Sequence, residues 1–203
     1  MGFDASLLVY CDDPPLDLRA RPASWRDAAR RLVRDLYPRT RFIEHGVVSL
    51  DGGAFPDKDA INLAVFANGA IVATRRAMLF NPSKLEARFL AAASSRTVHL
   101  LAQRSFYDMV AYARWEQGVL ERSVSANPVG RVWESVGTPE PFEAPFWEGG
   151  RRPAPDYPLP FHPLELGEAA LRAVLGAWFE GRPDPGLADP STVELLAFGK
   201  AAR

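Results

Sequence analysis

The sequence is poor in the residues and segments that mark secreted, zinc-bound and membrane-spanning proteins. Cys11 is the single cysteine, so a disulfide within the chain is impossible, and zinc ribbons and zinc fingers are excluded. No apolar run approaches the roughly 20 residues that a membrane-spanning helix needs. The formal net charge of −1 supplies no overall field that would attract nucleic acid or an anionic membrane. We therefore expect a protein of the cytoplasm with no membrane association.

The common catalytic and nucleotide-binding signatures are missing as well. The sequence has no glycine-rich phosphate loop ending in Lys-Ser or Lys-Thr, no Rossmann glycine fingerprint, no His-Glu-x-x-His pair and no Gly-x-Ser-x-Gly elbow. We predict no cofactor and favour a non-enzymatic binding or interaction protein, with another protein as the expected partner. Because active sites are assembled in space, an enzyme of unfamiliar type stays open as the alternative.

What the sequence does contain is enough apolar residues for a core. The hydrophobic fraction of 47% and the length of 203 residues predict a single folded domain over residues 1–203. The pattern of its elements predicts that this domain is of the α+β class. Apolar residues repeat at helical spacing over 25–36, and further helices are predicted from Asn81-Pro82 and over 164–180. Hairpins interspersed with these helices favour an antiparallel or mixed sheet on which about three helices pack.

Turn signals divide the rest of the chain into strands. Asn68-Gly69 and Gln117-Gly118 each separate two apolar runs, which predicts two hairpins. Because such strand pairs abut with no helix between them, a doubly wound parallel sheet is disfavoured. The type of a short apolar segment at 190–198 stays open. The predicted strands cover 6–10, 42–50, 61–66, 70–74, 98–102, 109–116, 119–125 and 131–136.

Residues 139–163 carry eight prolines interleaved with aromatic residues. Proline cannot donate to a strand ladder or continue a helix, and a flexible linker would be poor in aromatics. We therefore predict that this segment is an ordered strap across the core, and that it presents an exposed apolar patch to a partner. The residues expected to form the patch are Phe142, Phe146, Trp147 and Phe161.

Several stretches of the chain resemble a known protein family. They are the strand 7–10, the segment 115–123 that leads to 141–147, and the segment 157–168. The most distinctive runs are Phe-Glu-Ala-Pro-Phe-Trp and Phe-His-Pro-Leu-Glu-Leu-Gly-Glu. Together they are similar to an uncharacterised bacterial family of proteins of about this size, known only as a domain of unknown function. The resemblance implies a bacterial single-domain protein, and it implies no activity, substrate or catalytic residue.

The enzymatic alternative is a small metal-assisted hydrolase that would use four acidic residues and one histidine. His162 lies just before the N-terminus of the third predicted helix, and Glu165 and Glu168 lie three residues apart near its start. Asp12 and Asp13 follow the first predicted strand, where paired carboxylates can bind a divalent metal. If three of these side chains converge, they suit metal binding or acid–base catalysis. Simpler roles are a favourable interaction with the helix dipole and a turn at Asp-Asp-Pro-Pro.

Two other residues of reactive type carry no prediction of catalysis. Cys11 ends an apolar strand and is interpreted as a small buried hydrophobic residue. His99 lies inside the apolar strand 98–102, which is typical of a core or sheet-face histidine with its hydrogen bonds satisfied.

Charge is segregated along the chain although the total is near zero. Residues 19–41 carry eight arginines against two aspartates, a net of +6, and residues 134–194 carry a net of −7. Arg26, Arg30 and Arg34 are four apart and form one ridge on the first predicted helix. Such a ridge suits phosphates or an acidic partner, so anion or nucleic-acid binding is a second alternative. Nucleic acid is disfavoured because no reading motif is present, and neutralisation by the acidic C-terminal part is the simpler explanation.

Overall fold

In a computed structural model, which describes residues 2–92 and 97–201, nine strands form one antiparallel sheet. They are β1 (Ala5–Tyr10), β2 (Phe42–Ser49), β3 (Ala60–Phe66), β4 (Gly69–Thr74), β5 (Thr97–Arg104), β6 (Met109–Glu116), β7 (Val119–Asn127), β8 (Arg131–Val136) and β9 (Glu194–Lys200). Their order across the sheet is β2-β9-β3-β4-β1-β5-β6-β7-β8. The first strand therefore lies at the centre, and β2 and β8 form the two edges.

The central strand explains the first apolar run of the sequence. All six residues of β1 are buried, and the strand pairs with β4 on one side and β5 on the other. A strand covered on both faces needs apolar side chains in both directions, so its sequence does not alternate. Leu7 and Leu8 accordingly belong to different cores, one on each face of the sheet.

The two predicted hairpins are confirmed. β3 pairs with β4 through the turn that contains Asn68, and β6 pairs with β7 around Gln117-Gly118. Gln117 and Gly118 both have positive φ angles, 50° and 81°. This backbone twist matches that of the two strands it joins, which is why such turns recur in tight hairpins. The antiparallel sheet with flanking helices is consistent with the predicted α+β class.

Helices and the strap cover both faces of the sheet. In the described residues the α-helices are α1 (Trp25–Leu36), α2 (Leu50–Gly53), α3 (Ala87–Ala91), α4 (Ala144–Trp147) and α5 (Pro163–Leu175). On one face, α1 and α3 bury Val33 and Phe89. On the other, α5 and the strap bury Leu171 and Phe161. None of the helices in the described residues has the length and apolarity that crossing a membrane would take.

Two predicted helices are shorter in the structure. The helix predicted over 164–180 ends at Leu175, because Gly176 adopts a left-handed conformation with φ of 60° and leads the chain away. The helix predicted from Asn81-Pro82 begins as a 3₁₀ turn and is then interrupted at Leu85, whose backbone is not helical. The short helix α3 follows only after this break.

The segment 190–198, whose type the sequence left open, contributes β9 to the interior of the sheet. This strand pairs with β2 on one side and β3 on the other. Leu195 and Leu196 are buried in different cores, as expected for consecutive residues of a strand. The C-terminal part of the chain is thereby joined to strands of its N-terminal half.

Candidate functional site

A cavity of about 530 Å³ lies where the strap passes the end of α5 on the sheet face. We call it the strap cavity. Its floor comes from β5 and β6, and its walls come from the strap, the end of α5 and the loop after β1. Its volume lies within the range of about 300–1,000 Å³ that is typical of small-molecule sites. The lining residues are Asp12, Pro14, Thr97, His99, Tyr112, Arg114, Glu116, Glu140, Pro141, Phe142, Ala173 and Val174.

The register of two strands brings three polar side chains together on the floor of the strap cavity. His99 of β5 pairs directly with Arg114 of β6. Tyr112 precedes Arg114 by two residues, so the alternation of the strand places both side chains on the same face. The hydroxyl oxygen of Tyr112 lies 3.3 Å from Nδ1 of His99. This pair exists only because β5 and β6 pair in this register.

Burial keeps the His99 ring neutral. The residue is 2% exposed, and its Nε2 atom has no hydrogen-bond partner. Burial, together with the charge of Arg114, lowers the pKa of His99 to about 4, although the Cys11 backbone acts in the opposite direction. At neutral pH the ring holds one proton, and Nε2 is left unpartnered in either tautomer. Such a buried polar atom without a partner costs about 1–3 kcal/mol.

The strap cavity carries more negative than positive charge. Nε of Arg114 donates to a carboxylate oxygen of Glu140 at 2.6 Å, and Nη1 lies 3.5 Å from Glu116. Asp12 is a third carboxylate in the lining, so one arginine faces three acids and leaves a charge of −2. Burial raises the pKa of Tyr112, and Glu140 raises it further, so its hydroxyl keeps its proton.

A buried ion pair holds the strap over the strap cavity. Nε and Nη2 of Arg122 on β7 donate to the two carboxylate oxygens of Glu143 at 2.9 and 2.5 Å, and both side chains are at most 1% exposed. Glu143 also accepts hydrogen bonds from Nε1 of Trp147 at 3.1 Å and from the backbone N–H of Glu140 at 3.0 Å. Because Glu140 and Phe142 flank this anchor in the chain, the ion pair fixes the wall that the strap provides.

One of the two predicted aspartates belongs to this site. Asp12 lines the strap cavity, and its carboxylate accepts a hydrogen bond from the backbone N–H of Thr97 at 2.8 Å. Asp13 is exposed and is not part of the lining. The carbonyl oxygen of Asp13 instead accepts from the thiol of Cys11 at 3.2 Å. The first aspartate therefore connects the loop after β1 to β5 through a long-range bond, whereas the turn interpretation expects a bond to a nearby backbone amide.

The other predicted ligands lie elsewhere, in an open groove of about 1,180 Å³ that His162, Glu165 and Glu168 all line. Nε2 of His162 is 3.9 Å from a carboxylate oxygen of Asp108. Glu168 accepts a hydrogen bond from Gln103 at 3.2 Å, and burial raises the pKa of Glu168. Residues 2–92 and 97–201 contain no group of three His, Cys, Asp or Glu side chains placed to hold a metal ion. The predicted acids and histidine are thus divided between two places, and the metal-assisted hydrolase stays a prediction.

The strap aromatics turn inward, where the sequence led us to expect an exposed patch. Phe146 and Phe161 are buried, and Phe142 and Trp147 are half-buried. Phe146 and Trp147 each pack edge-on against Phe161, with ring centroids 6.0 and 5.0 Å apart. Phe142 packs edge-on against Tyr112 at 5.1 Å. These rings cover the apolar sheet face, with Phe142 as a wall of the strap cavity, so the four residues do not form one exposed patch, and contact with a partner through the strap stays a prediction.

Ion pairs interrupt the predicted arginine ridge of α1. Nε of Arg30 donates to Glu44 on the neighbouring strand β2 at 2.7 Å. Arg26 lies 3.6 Å from Glu194, which belongs to the acidic C-terminal part, so that part neutralises one member of the ridge. Arg34 lines a separate groove at the end of α1.

Sequence reasoning missed the polar floor of the strap cavity. The predicted burial of His99 is confirmed, but its Nε2 has no partner, contrary to the expectation of a satisfied ring. One signal was present for the arginines. Arg114 lies two residues after the core residue Tyr112, and Arg122 lies two residues before the core residue Val124. Both arginines are therefore on the core-facing side of their strands. An arginine at an inward position of a strand needs an acidic partner, and the strap supplies one in both cases, Glu140 for Arg114 and the buried Glu143 for Arg122.

Comparison with known proteins identifies a family whose function is unknown. No curated protein and no solved structure matches the chain. The model of one family, described as Family of unknown function (DUF6928), matches residues 5–198 and so covers almost the whole chain. The chain belongs to this family of unknown function.

Proposed function

We propose that the protein is a binding protein and that its ligand is a small organic cation held in the strap cavity. The observation that supports the proposal is the lining, in which three carboxylates and one arginine surround the His99–Tyr112 pair. An ammonium group would offset the surplus of negative charge. Its N–H groups would also find acceptors among the carboxylate oxygens.

The aromatic lining favours a cation with a short apolar body. Phe142 and Tyr112 meet edge-on at the wall and floor of the strap cavity. The face of an aromatic ring attracts an ammonium group by about 0.5–2 kcal/mol. Val174, at the end of α5, adds an apolar residue to the lining. A primary or secondary amine attached to a small hydrocarbon group fits both kinds of surface.

The proposal places this binding protein in the cytoplasm of a bacterium. Its one cysteine, Cys11, is buried and unpaired, which suits a compartment where thiols stay reduced. The family resemblance given above supports the bacterial origin.

The test is titration of the protein with two compounds of matched body and opposite charge. We choose 2-phenylethylamine and phenylacetate, and we follow binding by isothermal titration calorimetry and by backbone amide NMR shifts. The proposal expects the amine to bind and to shift the amides of Thr97, His99 and Tyr112, while the acid does not bind. Binding of the acid in preference to the amine, or amide shifts confined to other parts of the chain, would reject the proposal.

A matched pair of variants tests whether the carboxylates select the cation. Glu140→Gln removes one of the three cavity carboxylates and is expected to weaken amine binding about tenfold, which corresponds to 1.4 kcal/mol. Glu148→Gln changes the net charge equally at an exposed strap position outside the lining, and it should bind like the wild type. Equal affinities of the two variants would count against the strap cavity as the site.

A further inference from the structure

A second site of opposite charge lies on the other face of the sheet. A groove of about 780 Å³ separates the end of α1 from the edge strand β2. Arg34, Arg39 and Arg41 line it, together with the aromatic residues Phe42 and Phe198. We call it the arginine groove. It is independent of the strap cavity and of the function proposed for that cavity.

The three arginines are available to a ligand. All three are exposed, and none takes part in an ion pair found among the described residues. The one carboxylate in the lining, Glu44, is engaged by Arg30 through two contacts of 2.7 and 3.2 Å. These hydrogen bonds lower the pKa of Glu44, so its charge is committed to Arg30. The groove therefore holds unpaired positive charge that attracts an anion.

The aromatic floor of the arginine groove is fixed in place. The rings of Tyr37 and Phe42 meet edge-on with centroids 5.0 Å apart. The hydroxyl of Tyr37 lies 3.1 Å from Oγ1 of Thr74, and the guanidinium of Arg88 lies 4.4 Å from the centre of the tyrosine ring. Tyr37 and Phe198 are almost fully buried, whereas Phe42 is only half-buried. Phe42 is therefore the ring on which a planar ligand group can lie.

We propose that the arginine groove binds a mononucleotide or a molecule of the same chemistry, namely a planar ring that carries a phosphate chain. Guanidinium groups pair with phosphate oxygens through two parallel hydrogen bonds, which suits Arg34, Arg39 and Arg41. The planar ring stacks on Phe42, as bases do on aromatic side chains. Nucleic acid would need a longer basic surface than the three arginines of the groove provide, so a single nucleotide fits better.

The first test compares three probes and two double variants by isothermal titration calorimetry. The probes are ATP, inorganic tripolyphosphate and adenosine, which carry ring and phosphates, phosphates alone, and ring alone. ATP should bind the wild type most tightly and adenosine most weakly. Arg34→Glu/Arg39→Glu should weaken ATP binding at least about tenfold, the effect of 1.4 kcal/mol in binding free energy. The control Arg19→Glu/Arg31→Glu makes the same charge change at exposed arginines outside the groove and should leave binding within about twofold.

The second test separates the ring from the phosphates. Phe42→Leu removes the aromatic face and keeps an apolar side chain, so it should weaken ATP binding several-fold and leave tripolyphosphate binding unchanged. Circular dichroism and the unfolding midpoint of the variant establish that it is folded. If Phe42→Leu itself does not fold, transferred nuclear Overhauser effects between the adenine protons of ATP and the ring protons of Phe42 in the wild type give the same information.

Four outcomes would overturn the proposal. If the wild type does not bind ATP at millimolar concentration, the proposed site does not exist. If the two double variants lose equal affinity for ATP, the binding is general charge attraction and not a specific site. If tripolyphosphate binds as tightly as ATP, and Phe42→Leu does not change the affinity for ATP, the groove is a simple anion site that does not bind the ring. Single-stranded RNA binding far more tightly than ATP, with a steep salt dependence, would make the groove part of a nucleic-acid surface.

Discussion

The strap cavity and the arginine groove lie on opposite faces of one sheet, and they acquire their charge in opposite ways. In the strap cavity, Arg114 and Glu140 come from a strand and a strap that are separated in the chain, and burial controls the protonation of His99. In the arginine groove, the charge comes from one segment, 34–41, whose arginines are exposed to water. A site built from one segment can be detected in a sequence, whereas a site built by pairing distant segments cannot.

This difference also predicts how each site responds to mutation. Buried charges are stabilised only by their partners, because the loss of one partner leaves the other in a low-dielectric interior. Exposed charges are already solvated, so their removal changes binding much more than folding. Variants around the strap cavity should therefore alter the free energy of unfolding, and variants in the arginine groove should not.

The largest expected effect is at the anchor of the strap. Arg122→Ala leaves the Glu143 carboxylate buried without its ion-pair partner, so we expect a loss of about 3–5 kcal/mol in the free energy of unfolding. The measurement is urea denaturation followed by tryptophan fluorescence. As a control, Arg26→Ala breaks the exposed pair with Glu194 and should cost less than about 1 kcal/mol.

A double variant sharpens the same comparison. Arg122→Met/Glu143→Leu removes both charges and replaces them with apolar side chains, so it should recover much of the stability lost in Arg122→Ala. If Arg122→Ala costs no more than Arg26→Ala, the buried pair is not the anchor of the strap. If the double variant is as unstable as the single one, the loss comes from packing and not from the unpaired charge.

The second effect in size concerns pH. The unfolded chain protonates His99 near its usual pKa of about 6.5, whereas the folded chain does so only near pH 4. Between these values the unfolded state binds more protons, so stability rises with pH and is lost as the pH falls from 6.5 towards 4. At about 1.4 kcal/mol per unit of pKa, this residue accounts for a loss of about 3 kcal/mol at pH 4.

The check compares the wild type with His99→Gln by urea denaturation from pH 8 to pH 4. Other titrating groups contribute equally to both proteins, so the difference between the two curves isolates His99. The curves should be parallel above pH 7 and should diverge as the pH falls. Curves that stay parallel down to pH 4 would mean that the folded protein protonates His99 as readily as the unfolded chain does.

A smaller effect is expected at the floor of the strap cavity. Tyr112→Phe removes only the hydroxyl that contacts Nδ1 of His99, which should cost about 1 kcal/mol in the free energy of unfolding. The matched control is Tyr157→Phe, because the Tyr157 hydroxyl is a buried oxygen with no hydrogen-bond partner. Its removal should be neutral or slightly stabilising. Thermal denaturation ranks the two variants, and equal losses would contradict the assigned role of the Tyr112–His99 contact.

Much of the fold could be predicted because its signals are local. Turn residues around Asn68 and Gln117 located two hairpins, and an uninterrupted apolar run predicted the buried first strand. The end of α5 could not be predicted from apolar spacing, since Trp178 and Phe179 continue the helical pattern beyond Leu175. The left-handed backbone of Gly176 overrides that pattern. A glycine at this point is compatible with a helix interior and with a helix end, and only tertiary packing decides between them.

The candidate site was less predictable than the fold. Among the predicted site residues, Asp12 and Phe142 line the strap cavity, but spacing along the chain gives no reason to place them together. His99 and Tyr112 meet through the register of β5 and β6, and register is a property of strand pairing and not of either strand alone. Arg114 offered the one usable signal, a charged residue at an inward strand position.

The smallest expected effect on stability lies at the arginine groove, and it completes the comparison between the two sites. Arg34→Glu/Arg39→Glu alters exposed side chains that make no ion pair in the described residues, so the free energy of unfolding should change by less than about 1 kcal/mol, mainly because a glutamate in the last turn of α1 opposes the helix dipole. The same protein should lose most of its affinity for ATP. Urea denaturation and calorimetry on one preparation measure both quantities. A destabilisation above about 1 kcal/mol would mean that these arginines support the fold. The strap cavity, with its paired charges, and the arginine groove, with its unpaired charges, would then not differ in their effect on stability.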